Sequence, residues 1–317
     1  MSLTVPPAAE INARTRRLVE GFSWAAITVT IFAGWFVVTR FGVTHHTLRV
    51  WDIIALRFGG GAILLSPALL MPGRRVPPRL WLEGLFYAVL WGAPFVLFVT
   101  LGLLLTSAAQ ASSITPAMMP VFAGLLGWLI FGEAPGALRL LGYAAIVAGL
   151  VGLVAGHVMA QGGFSPGGIA ALVVAAIMWA IYTLRFRHGR LPAMQAAAMI
   201  CVWSAALYLP VYLLSGLSHL GTASFDEVAF QALYQGLLMS AVAIVTFNRA
   251  VNLLGAGAAT AIIALLPTIT TALAFPVLHE APSIGSWIAI AVIAAGVLLA
   301  ARPASSTPQV PQTAPQA

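Results

Sequence analysis

Charge is scarce in this chain of 317 residues: charged residues make up 7% of it, whereas hydrophobic residues make up 61%. Its mean hydropathy is +0.98. A soluble domain carries about 25% charged residues. So few charges exclude a water-soluble fold and predict that most of the surface faces lipid. Lysine is absent altogether, so every cation is an arginine, an absence from which no function follows.

Catalytic and cofactor motifs are missing too. The single cysteine, Cys201, excludes an intramolecular disulfide and a cysteine metal site. The sequence contains no glycine-rich phosphate loop, nucleophile elbow or His/Asp cluster, so we expect no enzyme activity and no cofactor. The pair His45-His46 lacks a third ligand, so no metal site is expected. The arginines form no long basic face, which argues against a nucleic-acid partner.

Acidic residues are absent from the interior of the hydrophobic runs. Asp52, Glu133, Asp226, Glu227 and Glu280 all fall at the ends of runs. Exporters of cationic drugs commonly need a buried carboxylate, because only an anion compensates a desolvated cation. We therefore expect a small neutral, zwitterionic or anionic metabolite, such as an amino acid, with cationic drug efflux as the weaker alternative.

Hydrophobic runs of about twenty residues, the length that crosses a bilayer, recur along the chain. Ten spans are predicted at 22–43, 51–71, 80–104, 108–131, 136–156, 167–186, 192–215, 227–250, 256–278 and 283–301. They predict an all-α polytopic membrane protein. Residues 1–20 are expected to form a cytoplasmic tail, and residues 303–317 a disordered tail, because the latter cannot bury enough surface to fold.

Arginine placement predicts the orientation of the spans. With the N-terminus in the cytoplasm, twelve arginines fall at or near cytoplasmic helix ends: Arg14, Arg16, Arg17, Arg74, Arg75, Arg79, Arg139, Arg185, Arg187, Arg190, Arg249 and Arg302. Arg40 and Arg49 then fall near the outside. This positive-inside bias predicts a multi-pass protein of the bacterial inner membrane with both termini in the cytoplasm.

A recurring tripeptide marks an internal repeat. Glu133-Ala134-Pro135 recurs as Glu280-Ala281-Pro282, and Gly21-Phe22-Ser23 recurs as Gly163-Phe164-Ser165. The predicted halves are 21–157 and 163–302, with five spans each. Because five is odd, the halves are expected to have opposite orientations, and an inverted repeat encloses a substrate site near the membrane midplane.

These features resemble the EamA family of the drug/metabolite transporter superfamily. The resemblance covers roughly residues 20–302 and rests on the repeat and on three segments: Ala55-Leu56-Arg57-Phe58, the run from Thr106 to Phe122, and Phe131-Gly132-Glu133. His279 departs from it, standing where the first half has Gly132. The resemblance implies an alternating-access permease whose first to fourth and sixth to ninth spans frame the pathway, while the fifth and tenth pack peripherally.

Mirrored prolines and glutamates are the first candidate functional residues. Pro120 and Pro267 lie midway along the fourth and ninth spans, where each is either a hinge that lines the pathway or a static kink. Glu133 and Glu280 precede the fifth and tenth spans, where each is either a helix cap or a gate contact.

Arg57 is the deepest cation, inside the second span, where an unpaired arginine is costly. It is either a ligand for a substrate carboxylate or phosphate, or a structural residue that snorkels outward or bonds to Asp52 or a loop carbonyl. The other pathway candidates are aromatic or polar: Trp35, Tyr87, Trp91, Gln110, Ser113, Trp179, Tyr182, Tyr234, Gln235, Ser240 and Asn248. Such residues suit a small-molecule pocket, although they also form interfacial belts and bonds between helices.

The sequence therefore predicts a secondary transporter, with export as the first hypothesis, whose partners are a small-molecule metabolite and the lipid bilayer. A flippase of a lipid-linked substrate is the alternative within transport. A membrane-embedded lipid enzyme and a non-transporting sensor are the alternatives from other classes. The oligomeric state is left open, with a homodimer among the options.

Overall fold

The computed structural model describes residues 8–45, 47–70, 76–132, 134–161, 165–254, 263, 265–279 and 282–300. Regular structure in these ranges is helical. The helices are α1 Ala8–His45, α2 Val50–Leu65, α3 Pro67–Leu70, α4 Pro78–Trp91, α5 Ala93–Leu105, α6 Ala108–Phe131, α7 Ala137–Gln161, α8 Pro166–Arg187, α9 Ala193–Leu214, α10 Phe225–Gln231, α11 Ala243–Leu254, α12 Leu266–Leu278 and α13 Ile284–Ala300. A π-helical segment, Ala232–Val242, joins α10 to α11.

Length and composition identify the membrane-spanning elements. Eight helical stretches among the described residues are long and apolar enough to cross a bilayer, and two shorter apolar helices, α12 and α13, follow them. The all-α polytopic class is thus confirmed, whereas the ninth and tenth spans stay predictions. The helix α1 extends back to Ala8, so part of the predicted N-terminal tail is helical. The predicted tail at 303–317 lies outside the described residues.

Helix ends follow local sequence signals. Ser107, Ser165 and Ser224 cap α6, α8 and α10, each accepting a hydrogen bond from a backbone N–H of the first turn. The C-cap residue of α6 is Gly132, with φ 70°, and that of α12 is His279, with φ 55°. Both residues adopt the left-handed conformation that glycine favours. The same C-cap geometry therefore recurs in the second half although histidine replaces glycine.

Helices of the two halves pack against each other in matching pairs. By span order, α8 is the equivalent of α1, α9 of α2, α12 of α6, and α13 of α7. The helix α1 packs on α11 and α12, and its equivalent α8 packs on α5 and α6. Contacts also join α2 to α9 and α6 to α12. This pattern is the one that two related halves produce, while their opposite orientation in the membrane stays a prediction.

The equivalent helices α7 and α13 form a close pair. A Cβ atom on Gly142 would lie 2.7 Å from the carbonyl oxygen of Gly296, and one on Gly296 would lie 2.8 Å from that of Gly142. Small residues at such a contact let two membrane helices approach backbone to backbone. The pair therefore depends on glycine at both positions.

The third predicted span, 80–104, is interrupted. The helix α4 ends at Trp91 and α5 begins at Ala93, with Gly92 between them and Pro94 in the first turn of α5. Ser204 of α9 supports the break, because its Oγ accepts a hydrogen bond from the backbone N of Ala93 at 3.1 Å. The equivalent eighth span contains the π-helical segment. In membranes, irregular backbone is tolerated where it is buried in protein or lines a cavity, so both irregularities direct attention to the space between the halves.

Candidate functional site

A cavity of about 50 Å³ lies between the two halves. By the rule that one water needs at least about 10–15 Å³ measured this way, it holds roughly three or four waters in this conformation. Its lining comes from the first four and the sixth to ninth predicted spans: Phe32, Trp35, Phe36, Arg57, Phe58, Trp91, Phe95, Val99, Thr115, Pro116, Trp179, Ala197, Ile200, Cys201, Met239, Ser240 and Leu266. The helices α7 and α13 contribute no described lining residue.

Aromatic rings stacked on one another form one wall of the cavity. Trp91, the last residue of α4 before the break, stacks on Tyr182 with ring centroids 4.7 Å apart and on Trp179 with centroids 6.1 Å apart. Phe95 meets Trp179 edge-on at 6.1 Å. Trp91 before the break and Phe95 after it both line the cavity.

Arg57 lies on the cavity wall, and its side chain is 8% exposed. The carbon at the centre of its guanidinium is 4.9 Å from the centroid of the Trp35 ring and 5.7 Å from that of Phe58. No described residue accepts a hydrogen bond from its Nε or Nη1. The side chain is therefore desolvated, surrounded by rings, and keeps donors for another group.

Asp52, the acid nearest to Arg57 in sequence, is engaged elsewhere. Its carboxylate accepts hydrogen bonds from the backbone N of Arg49 at 2.7 Å, from the hydroxyl of Tyr212 at 2.5 Å and from the backbone N of His219 at 2.9 Å. These bonds tie the start of α2 to the end of α9 and the loop after it. The Asp52 carboxylate is thus committed to an outer structural cluster.

A buried amide positions Trp35. The indole N–H of Trp35 donates to Oε1 of Gln235 at 2.9 Å. Nε2 of Gln235 donates in turn to Thr39 at 3.0 Å and to Gln231 at 3.2 Å. Gln235 is fully buried and lies behind the wall, so it holds the ring of Trp35 against Arg57 without lining the cavity itself.

Two predicted pathway residues of α6 make local bonds instead of lining the cavity. The backbone N of Gln110 donates to the hydroxyl of Ser107, and its side chain accepts from the backbone N of Ser107, which completes a capping box. The hydroxyl of Ser113 donates to the carbonyl of Ala109 at 2.7 Å. On the same helix, Thr115 and Pro116 are the residues that line the cavity.

The predicted pathway residues Tyr87 and Tyr234 also lie outside the cavity lining. The hydroxyl of Tyr87 donates to Glu83 at 2.5 Å, and its ring meets that of Tyr182 edge-on at 5.4 Å. The hydroxyl of Tyr234 donates to the carbonyl of Ile31 in α1 at 2.9 Å. Both tyrosines therefore connect helices around the cavity.

The remaining candidates divide between neighbouring and undescribed positions. Pro120 lies inside α6 one turn beyond Pro116, and Pro267 lies in the first turn of α12 beside the lining residue Leu266. Glu133, Glu280 and the side chain of Asn248 lie outside the described residues, so their roles stay predictions.

One carboxylate contact occurs at both ends of the molecule. Oε1 of Glu227, in the first turn of α10, accepts a hydrogen bond from the backbone N of Leu48 at 3.1 Å. Oε1 of Glu83, in α4, accepts one from the backbone N of Arg190 at 3.2 Å. Leu48 and Arg190 each lie just before equivalent helices, α2 and α9. We name the Glu227–Leu48 contact the outer latch and the Glu83–Arg190 contact the inner latch, after their predicted sides.

Several of these features escaped sequence reasoning. Phe32, Phe36, Phe58 and Phe95 gave no signal, because a phenylalanine in an apolar run looks the same whether it faces lipid or a cavity. The sequence Gly92-Ala93-Pro94 was a usable signal for the break. The only signal for the latches was that each glutamate lies a few residues after a loop. The sequence does not show that each glutamate bonds to the backbone of a different loop.

Comparisons with known proteins agree with the helical repeat. A model of the EamA-like transporter family matches residues 19–155 and again residues 166–302. An uncharacterized transporter of Archaeoglobus fulgidus is 34% identical over 134 residues, which are 42% of this chain and 44% of that protein. The alignment thus spans less than half of that relative. A crystal structure with 22% sequence identity shares the fold with a TM-score of 0.61, over 88% of this chain and 98% of the other.

The two family matches together cover most of the sequence; the first falls on the helices from α1 to α7 and the second on those from α8 to α13. They confirm the resemblance drawn from the Arg57 segment and the repeat, and they point to a transporter rather than an enzyme. The chain is therefore a multi-pass membrane protein of the EamA-like transporter family, built from two repeats.

Proposed function

We propose that the protein is a secondary transporter of the bacterial inner membrane that exports a small neutral, zwitterionic or anionic metabolite by alternating access. The observation that carries this proposal is the cavity at the junction of the two repeats. Equivalent helices of both halves line it, so a movement of one half against the other would open it to either side.

The small volume of the cavity supports a conformation that lies between two more open ones. Room for a few waters is too little for a metabolite, so a substrate enters only when one face opens. The break at Gly92 and the π-helical segment at its edge supply irregular backbone at the places where transporters bind substrates.

The latches supply a device for alternation. Each latch joins the third span of one half to the loop before the second span of the other half. A Cβ atom on Gly189 would lie 2.1 Å from the Tyr87 hydroxyl and 2.5 Å from Oε1 of Glu83, so the inner loop packs tightly on its latch. Opening of one face requires release of the latch on that face while the other holds.

Charge favours neutral, zwitterionic or anionic solutes over cations. Arg57 is the charged residue among the described lining residues. A cationic drug would meet this guanidinium without a compensating carboxylate. Cationic efflux is therefore the weaker hypothesis.

Transport in proteoliposomes tests the proposal. A panel of labelled metabolites is loaded, and uptake and efflux are measured with and without a pH gradient. We expect at least one solute to move faster than in protein-free vesicles. Trp179→Ala should reduce that flux, whereas Trp128→Ala, which removes a half-exposed tryptophan of α6 away from the cavity, should not. If no solute moves under any gradient, the transporter assignment fails.

A further inference from the structure

Arg57 is a buried cation in the cavity wall, and no described residue pairs with it as an anion. More than nine-tenths of its surface is buried, and its Nε and Nη1 donate to no described residue. A buried charge normally has a partner, because desolvation without one is costly. The contacts with Trp35 and Phe58 offset part of that cost but leave the positive charge uncompensated.

The described protein groups around Arg57 do not supply the missing anion. Asp52 binds Tyr212 and the backbone at 49 and 219. Glu83 and Glu227 bind the loops at the two ends, and Glu20 accepts a hydrogen bond from the indole N–H of Trp24 in α1. The neighbouring Cys201 side chain is an uncharged thiol, so it is not the missing anion either. A ligand is therefore the natural source of the negative charge.

We propose, on the basis of the proposed transport function, that the substrate is a small monoanion with an apolar or aromatic body, bound through its carboxylate to Arg57. Guanidinium and carboxylate pair through charge-assisted hydrogen bonds and can do so at two points. One guanidinium balances one negative charge, so a monocarboxylate fits better than a doubly charged phosphate. The ring-lined remainder of the cavity receives the apolar body.

No aspartate or glutamate is among the described lining residues to pair with an ammonium group, which separates this substrate from an amino acid. The face of Trp35 is occupied by Arg57, and Trp91 stacks on Tyr182 and Trp179. A free aromatic face is what would bind a cation in the absence of an acid.

The two hydroxyls on the wall are engaged as well. Thr115 donates to the carbonyl of Leu172 at 3.1 Å. The hydroxyl of Ser240 lies 3.2 Å from the carbonyl oxygen of Arg57 and 3.0 Å from that of Gln235. An ammonium group on the ligand would therefore lose its hydration and gain few hydrogen bonds from the cavity wall. Its presence should weaken binding.

Three ligands of one size test this inference: 3-phenylpropanoate, phenylalanine and 2-phenylethylamine. Equilibrium binding of each is measured on the purified full-length protein. We expect 3-phenylpropanoate to bind, phenylalanine to bind at least tenfold more weakly, and the amine to bind most weakly. Arg57→Gln should weaken 3-phenylpropanoate about 10- to 100-fold, the range for loss of a hydrogen bond to a charged group.

Control variants keep the result interpretable. Arg57→Lys retains the charge and should recover part of the affinity even if Arg57→Gln folds poorly. Arg79→Gln removes an exposed arginine of α4 that does not line the cavity, so it should leave affinity unchanged. The inference is overturned if phenylalanine binds as tightly as 3-phenylpropanoate, or if Arg57→Gln keeps full affinity in folded protein. Transport of another solute without binding of 3-phenylpropanoate would overturn the inference and leave the proposed transport function intact.

Discussion

At the scale of residues, a polar side chain in an apolar helix satisfies its own hydrogen bonds first. Gln110 and Ser113 do so within a turn of their own helix, and Gln235 does so with two residues of α1 and with Gln231 one turn before it. Arg57 is the contrasting case, because two of its nitrogens remain without a described partner. An unsatisfied buried group is therefore a better guide to a binding site here than polarity alone.

The capping role of Gln110 predicts a stability effect without a transport effect. Gln110→Ala removes one bond of the capping box, so we expect the free energy of unfolding to fall by about 0.5–1.5 kcal/mol. Substrate affinity should stay unchanged. Thermal unfolding in detergent and equilibrium binding measure the two quantities.

Trp179→Ala serves as the matched comparison for Gln110→Ala, since it alters the cavity wall and should weaken binding. A loss of affinity in folded Gln110→Ala protein equal to that of Trp179→Ala would show that Gln110 belongs to the binding site after all.

At the scale of elements, the two halves use different irregularities at equivalent places. The third span breaks at Gly92, and the eighth contains a π-helical segment. The latches keep the symmetry more closely, because each joins a glutamate to a backbone N–H before the second helix of the opposite half. The latches at the ends of the molecule are thus better candidates for gates than Pro120 and Pro267.

Removal of a latch should favour the conformation that is open on the face that this latch holds closed. Cys201 is the single cysteine and lines the cavity, so it reports on opening without any engineered cysteine. Glu227→Ala should raise its rate of modification by a membrane-impermeant thiol reagent from the outside. Glu83→Ala should raise the rate from the inside. About a tenfold change is expected from the loss of one hydrogen bond to a charged group.

Asp226→Ala is the control for the outer latch, because Asp226 is exposed beside Glu227 and has no role in it. Equal changes from both sides in each latch variant would refute the assignment of one latch to each face.

At the scale of the whole molecule, the helices α7 and α13 form a scaffold beside the cavity. They pack on each other through Gly142 and Gly296 and contribute no described lining residue. The scaffold and the cavity should therefore be separable by mutation.

Gly142→Leu tests that separation. The new side chain would collide with the backbone of α13, so we expect a loss of about 1–3 kcal/mol in the free energy of unfolding, the usual cost of overpacking. The affinity of the protein that remains folded should be unchanged. Gly156→Leu is the control, because a Cβ at Gly156 meets nothing within 4 Å. A fall in affinity without a fall in stability would show that the scaffold shapes the cavity.

The family, the helical class and part of the cavity wall could be predicted from the sequence. Composition and repeated tripeptides suffice for the first two, because lipid imposes long apolar helices on any such chain. Arg57, Trp35, Trp91, Trp179 and Ser240 were predicted candidates that line the cavity, because charged, hydroxyl and indole side chains stand out in apolar runs. The other lining residues and the latches depend on helix rotation and loop contacts, which no local pattern records.

The most direct test of the account is the accessibility of Cys201 in wild-type protein. Its modification by an impermeant thiol reagent is measured in right-side-out and inside-out vesicles, with and without a saturating transported solute. Alternating access predicts modification from both faces and slower modification when the solute fills the cavity. Modification from one face alone during active transport, or rates that ignore the solute, would contradict the claim that this cavity carries the substrate.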